Sequence, residues 1–475
     1  MSERKTGEEI RRQLSYPVID ADGHSLEFLP AVREHLREVA GPEVAARLDT
    51  AFSAWRTALS LPVAERRALG LFRMTWWGFP TRNTVDRAMA MLPRLLYERL
   101  DEIGIDYAVL YPTFGLVSLS LDEPELRAAF ARAFNRYYAE AYGELSDRLT
   151  HVALIPMHTP EEALAELDHA VGGLGFKAVV LAGQVQRPLA GRNEARAARW
   201  VDSLGYESEH DYDPVWRRCA ELGVAPSFHS AAMGWGSRTS PLNYAYNHVG
   251  MFAAAGEATC RALFFGGAPM RFPELRFAFL EGGVAWACQL YADLVGHFEK
   301  RGREGLAAID PAALDRPRMR ELFARYAPPR FRALERELDA ALAVLSDPDE
   351  DRAGIDEFGA SGVERAEQIR EVFDRFYFGC EADDPLCGLA FDARRNPFGA
   401  RLHPLLGSDI GHWDVPDVAA VLGEAFEQVE RGFLGDREFR ELVFANPVAF
   451  FAGGNPRFFE GTRVAEPAAK ALAAG

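Results

Sequence analysis

The chain has 475 residues, of which 48% are hydrophobic and 26% charged, and a formal net charge of −17. That length supports one large domain with insertions or two domains, and the acidic balance argues against nucleic acid or an anionic membrane as the main partner. The first residues are charged without an apolar core, and no run approaches ~18 consecutive apolar residues. Five scattered cysteines suit reduced thiols better than a disulfide framework, so a cytoplasmic protein is expected.

In chain order, short β-rich runs alternate with helical stretches, the pattern of a parallel α/β fold. Strands are expected at 18–22, 107–111, 151–156, 177–181, 225–229, 276–280, 376–380 and 405–409. Most of these are continuously apolar, as strands covered on both faces are. Helices are expected over 122–142, 160–171, 214–222 and 418–432, and Thr159 before Pro160 supplies an N-cap with proline at the first helical position. Eight strands with helices between them fit a (β/α)8 TIM barrel better than an open sheet. Two stretches exceed what a βα unit needs: 41–98, which carries Trp76 and Trp77, and 291–372. They follow the first and sixth strands and are expected as helical insertions roofing the C-terminal face. The expected organisation is a tail at 1–15, one barrel domain at 16–462 and a tail at 463–475.

Chemistry-bearing residues gather at the ends of these strands. The first ends in Asp20-Ala-Asp22-Gly-His24, the fifth in Ser227-Phe-His229, the sixth in Leu280-Glu281 and the eighth in Ser408-Asp409, with His412 three residues on. Residues two apart on a strand point to one side, so Asp22 and His24 can face one ion, and His229 and Asp409 reach the same space. Two imidazoles and two carboxylates suit Zn²⁺, Mn²⁺ or Fe²⁺ better than Mg²⁺. Taken singly, Asp22 and Asp409 could cap turns and His229 could be a hydrogen-bonded core histidine. Their joint placement favours a ligand set for one divalent ion, zinc first. Asp20 is read as structural or supporting. Lys177 begins its strand instead of ending it, which puts it at the wrong end for a metal-bridging role. Cys380 ends a strand but has no identifiable base, and His158 and Trp413 are read as pocket wall.

Several segments in order resemble the amidohydrolase superfamily, within it the group related to aminocarboxymuconate-semialdehyde decarboxylase. They are VIDADGH, IPMHTPEEALAELDHAV leading to GFKAVVL, GVAPSFH, FPELRFAFLEGG, LLGSDIGHWD and FANPVAFFAG. The resemblance implies a distorted barrel with one catalytic metal and a small, often carboxylated ring substrate. Members commonly have H-x-H at the first strand, where this chain has Asp22-Gly-His24, and a histidine after the sixth, where it has Glu281. By this resemblance the expected reaction is non-oxidative decarboxylation or a related carbon–carbon cleavage, with Asp409 as proton carrier and Glu281 and His412 setting proton traffic. The alternatives are hydrolysis of an amide, ester or lactone by metal-activated water, and a barrel that binds a ligand without catalysis. A homodimer is compatible with the family and with the charge.

Overall fold

The computed structural model describes residues 5–73, 82–188, 199–229, 240–344 and 356–474. Eleven strands occur among them: β1 Ile19–Ser25, β2 Tyr107–Pro112, β3 Leu149–His151, β4 Ala153–Ile155, β5 Val179–Leu181, β6 Val185–Pro188, β7 Arg199–Asp202, β8 Pro226–Phe228, β9 Phe277–Phe279, β10 Phe376–Glu381 and β11 His403–Gly407. All but β6 and β7 pair in parallel, in the orders β1-β2-β3 and β11-β10-β9-β8-β5-β4. Each of the eight expected strands overlaps an observed one, the third being split into β3 and β4 at Val152. There the backbone changes partners: Val152 N–H donates to Leu110 O at 3.0 Å, and Ala153 N–H to Ala178 O at 2.9 Å. The fold is therefore α/β with parallel sheets, and its strands are buried along most of their length.

Between β8, β9 and β10 the interior is filled by phenylalanines from alternate positions. Phe279 stacks on Phe228 and Phe378, with centroids 5.6 and 5.9 Å apart. It meets Phe376 and Trp286 edge-on. Aromatic rings of this size bury much apolar area each and prefer such offset and T-shaped contacts.

Helices occur at Pro124–Tyr142, Pro160–Leu167, Asp213–Leu222 and Val421–Glu430, within or close to the expected ranges. Thr159 caps its helix, accepting from Glu162 N–H at 3.3 Å. The 41–98 stretch begins inside a long helix, Leu29–Ser60, broken at Gly41, where φ is 84° and Pro42 follows. Trp76 and Trp77 lie outside the described residues. Both terminal stretches read as tails carry helices. Gly7–Gln13 is held by a Thr6–Glu9 capping box and buries Ile10, and Ala465–Ala474 buries Ala468. No described helix is long and apolar enough to cross a membrane.

Two features had no counterpart in the sequence reading. β6 and β7 form an antiparallel hairpin in which Arg187 Nε donates to the buried Asp202 carboxylate at 2.6 Å. After β8 the chain returns through helices Tyr244–His248, Met251–Phe265 and Ala268–Arg271 before β9. The second feature adds side chains to the site.

His151, on β3, lies buried against Tyr138, with ring centroids 3.7 Å apart. Its Nδ1–H donates to Val152 O at 2.9 Å, so Nε2 accepts from Ser25 Oγ–H at 2.8 Å. Burial lowers its pKa to about 3, against 6.5 for the free side chain. The unfolded chain therefore takes up this proton between about pH 6.5 and 3 while the folded chain does not, and stability falls as pH falls through that window. We expect His151→Gln, which cannot protonate, to unfold less steeply with acid over that window; urea unfolding followed by circular dichroism at stepped pH measures it. An unchanged acid limb would mean that other groups carry the dependence.

Candidate metal centre and active site

β1 is buried throughout although it reads IDADGHS. Its register against β2 shifts between Asp20 and Gly23, an irregularity of the kind that re-aims side chains. Asp20 turns towards the segment after β11, accepting from Ser408 N–H at 3.0 Å and Ser408 Oγ–H at 2.6 Å, and from Asp22 N–H at 3.2 Å. Burial raises the Asp20 carboxyl to about 6, with the Ser408 bonds opposing. A Cβ on residue 23 would come within 2.6 Å of Asp20 Oδ2, so this close approach requires Gly23. Two backbone bonds continue the seam: Asp409 N–H to Asp22 O and His24 N–H to Ile410 O, both at 3.1 Å.

This seam brings the predicted residues together. His24 Nε2 and His229 Nε2 face each other at 3.1 Å. Asp22 Oδ1 lies 3.7 Å from the first and 3.9 Å from the second, and Asp409 Oδ1 lies 3.4 Å from His24 Nε2. Two groups of possible ligand atoms result, Asp22–His24–His229 and His24–Asp409–His412, with His24 common to both. Ligand bonds of ~2.0–2.2 Å to one ion put neighbouring donors roughly 3.0–3.6 Å apart; the His24–His229 and His24–Asp409 separations fall in that range, and those to Asp22 lie slightly above it.

Burial holds the His24 imidazole well below its usual pKa, helped by His412 and His229, and burial lowers His229 as well, with Asp22 opposing. Both rings are thus neutral bases with a lone pair to offer. Asp22 Oδ1 is buried with no hydrogen-bond partner among the described residues. Burial pushes Asp22 and Asp409 well above the carboxylate range, and neighbouring acids, Glu281 among them, push the same way. None of Asp22, Asp409, Glu281 or Glu381 has a lysine or arginine ion-pair partner among the described residues. Crowded buried carboxylates with neutral imidazoles and no basic side chain fit a site for a divalent cation.

Glu281 follows β9 and Asp409 follows β11, and each has positive φ, 60° and 49°. Left-handed backbone at a residue with a Cβ costs roughly 1–2 kcal/mol, so the surrounding bonds hold both acids there. Gly379 of β10 gives Glu281 room: a Cβ there would meet Leu280 Cα at 2.8 Å and Glu281 N at 2.9 Å. The Glu281 carboxylate reaches His229 Nε2 at 2.8 Å, so it faces the cluster itself. His412 has both nitrogens engaged, Nδ1 lying 2.5 Å from Asp409 Oδ1 and Nε2 3.0 Å from Thr113 Oγ1. Burial lowers it to about 4, and its ring stacks on His24 at 4.0 Å. The ring thus lies directly beside Asp409. Below the cluster, Tyr111 of β2 donates to Ser227 of β8 at 3.0 Å, and Ser227 to Val179 O of β5 at 2.6 Å.

A cavity of about 280 Å³ opens beside the cluster, lined by His248, Phe252, Glu281, Glu381, Trp413 and Asp414 among others. Trp413 was foreseen as wall. His158 is not among the lining residues. Lys177 instead donates to Phe458 O at 2.7 Å, and Cys380 is a buried thiol. Glu381, Asp414, His248 and Phe252 were not singled out from the sequence. Glu381 was within reach, since it is the next residue after the expected end of the seventh strand. His248 and Phe252 come from the helical return after β8 and carried no local signal.

The amidohydrolase family profile matches residues 73–331, more than half of the chain. The chain belongs to the amidohydrolase family. As a member it is a metal-dependent enzyme, as the sequence resemblance implies. Among solved structures it is similar to an amidohydrolase from Mycobacterium avium subsp. paratuberculosis K-10, at 19% identity over 92% of this chain and 100% of that one, with a TM-score of 0.51. That likeness is one of fold. Weaker similarity links it to 2,6-dihydroxybenzoate decarboxylase from Rhizobium, at 14% identity over 92% and 98% of the chains, TM-score 0.46. It also links it to 5-carboxyvanillate decarboxylase from Novosphingobium aromaticivorans DSM 12444, at 14% identity over 92% and 96%, TM-score 0.45. No curated protein matches the chain.

Burial and neighbouring acids, Glu281 first, raise the Glu381 carboxyl to about 8, from 4.5. Between those values the unfolded chain releases this proton and the folded one keeps it, so metal-free protein loses stability as pH rises from about 4.5 to 8. We expect Glu381→Gln to melt at a higher temperature than the parent at pH 8 and alike at pH 4, both with chelator present. Calorimetry at the two pH values checks this; equal melting at pH 8 would show that Glu381 is not crowded.

Proposed function

We propose that this protein is a mononuclear metal enzyme that removes carbon dioxide from a small cyclic carboxylate, on a (β/α)8 barrel. Asp22, His24, His229 and Asp409 would hold one divalent ion, zinc first, with manganese or iron as substitutes. The observation that carries this reading is the facing pair of neutral histidine nitrogens, 3.1 Å apart, among buried carboxylates without a basic partner. Barrel closure is supported by continuity of the sheets through Val152 and by the bonds from Asp409 to Asp22 and from His24 to Ile410. We further propose one domain over 16–462, with helical insertions after the first and sixth barrel strands. A cytoplasmic setting agrees with five free cysteines.

When bound, the ion supplies charge stabilisation for the substrate's carboxylate and an adjacent oxygen. The chain's own groups do the rest. Trp413 and Phe252 give the cavity aromatic walls for a ring. Asp409, with His412 beside it, delivers a proton to the ring carbon that bears the carboxylate. That carbon–carbon bond then breaks, carbon dioxide departs, and the bonding pair stays with the ring and restores its conjugation. Glu281, beside His229 and on the cavity wall, is placed to return a proton to Asp409 from solvent.

Metal analysis of the parent beside Asp22→Ala is expected to find about one ion per chain, lost in the variant. Asp409→Asn is expected to slow release of carbon dioxide from carboxylated rings by about 10²–10⁴-fold. Absence of metal after reconstitution would remove the ligand set. Product oxygen drawn from labelled water, without carbon dioxide, would make the enzyme a hydrolase.

A further inference from the structure

The cavity beside the cluster holds more negative charge than one divalent ion offsets. Glu281, Glu381 and Asp414 line it together with His248, Phe252 and Trp413, and no lysine or arginine does so among the described residues. The charged groups that act most strongly on the Glu381 carboxyl are Glu281, Asp414, Asp383 and Asp384, all of them acids. With Asp22 and Asp409 neutralising an ion, as proposed above, the acids on the cavity wall still lack a counter-charge. Glu281 has a side chain only 4% exposed, and its Oε2, beside the His229 ring, has no hydrogen-bond partner among the described residues. Asp414 Oδ1 is buried in the same state. Carboxylates held in this way call for a cation of their own.

The other walls of the cavity are aromatic. His248 meets Trp413 and Phe252 edge-on, with ring centroids 5.6 and 5.5 Å apart, and Tyr244 meets Trp413 in the same way at 6.0 Å. Trp413 is 44% exposed, so its ring is open to an incoming molecule. Aromatic faces beside carboxylates suit an organic cation, because the ring quadrupole attracts the charge and the acids neutralise it. The first turn of helix Met251–Phe265 also reaches the cavity, through Phe252 and Ala253, and its dipole favours an anion. That amounts to about half a charge against three carboxylates. We propose that the substrate, a ring acid by the reading above, also carries a cationic nitrogen, which Trp413 and Phe252 enclose and Glu381 and Asp414 neutralise. Glu381 is then a specificity-determining residue, and a ring acid without the cation is disfavoured by the same groups.

Calorimetric titration of the full-length protein, zinc-reconstituted and chelated, with choline and with its uncharged isostere 3,3-dimethylbutan-1-ol tests this. Choline is expected to bind both forms at least about tenfold more tightly than the alcohol. Glu381→Gln and, separately, Trp413→Leu are expected to weaken choline at least about tenfold and the alcohol less. Far-UV circular dichroism confirms that each variant is folded; the first is isosteric and the second changes an exposed ring. Equal affinity for the two probes overturns the proposal, as does an absence of choline binding or choline binding that both variants leave intact. Failure of the decarboxylase reading is seen separately: a chain without zinc, or one that releases no carbon dioxide from ring acids, would still bind choline through these groups.

Discussion

The buried carboxylate of Asp20 holds the first strand to the segment that follows the last. It accepts three hydrogen bonds, two from Ser408 and one from Asp22 N–H, in a place where an unpaired charge would be costly. Because β1 and β11 are edge strands of two different sheets, this junction fixes where Asp22 and His24 lie relative to Asp409. Gly23 lets the strand pass close enough for it, and the backbone bonds of Asp409 and His24 extend it by one residue on each side. The positions of all three candidate ligand side chains follow from that contact.

At the cluster itself the electrostatics run against folding. Asp22, Asp409, Glu281 and Glu381 are crowded, and each is pushed up by burial and by its neighbours. The backbone adds strain at Glu281 and Asp409. Such arrangements persist where the surrounding structure over-determines them, and they concentrate at functional sites. The phenylalanine-filled interior between β8, β9 and β10 is the obvious counterweight, since it buries large apolar rings directly behind the strand ends that carry His229, Glu281 and Glu381. The same strands supply stability in their middles and the side chains of the candidate site at their ends.

The segments outside this framework divide by what they bury. The return after β8 sends His248 and Phe252 into the cavity, where His248 packs against Trp413 with centroids 5.6 Å apart. Between β9 and β10, helices Arg316–Tyr326 and Pro329–Arg332 bury no residue. One excursion thus contributes to the site and the other to the surface, although both leave from the same ends of neighbouring strands.

The run of parallel strands, one end of each of three helices, and the family were legible in the sequence, because they rest on local patterns: continuous apolar runs, a threonine before a proline, acids and histidines at strand ends. Asp22, His24, His229, Asp409, Glu281 and His412 could be picked out for the same reason. What the sequence did not contain was distance. Only the tertiary structure set His412 beside Asp409, turned Glu281 onto His229, and gave Asp20 its work at the seam. Glu381, Asp414, His248 and Phe252 entered the site through turns and a helical return whose course depends on packing between residues far apart in the chain. Hydrophobic periodicity is a property of neighbours along the chain and can be read one segment at a time. A converging set of charges is a property of the closed fold, and appears only when the long-range pairings have been made.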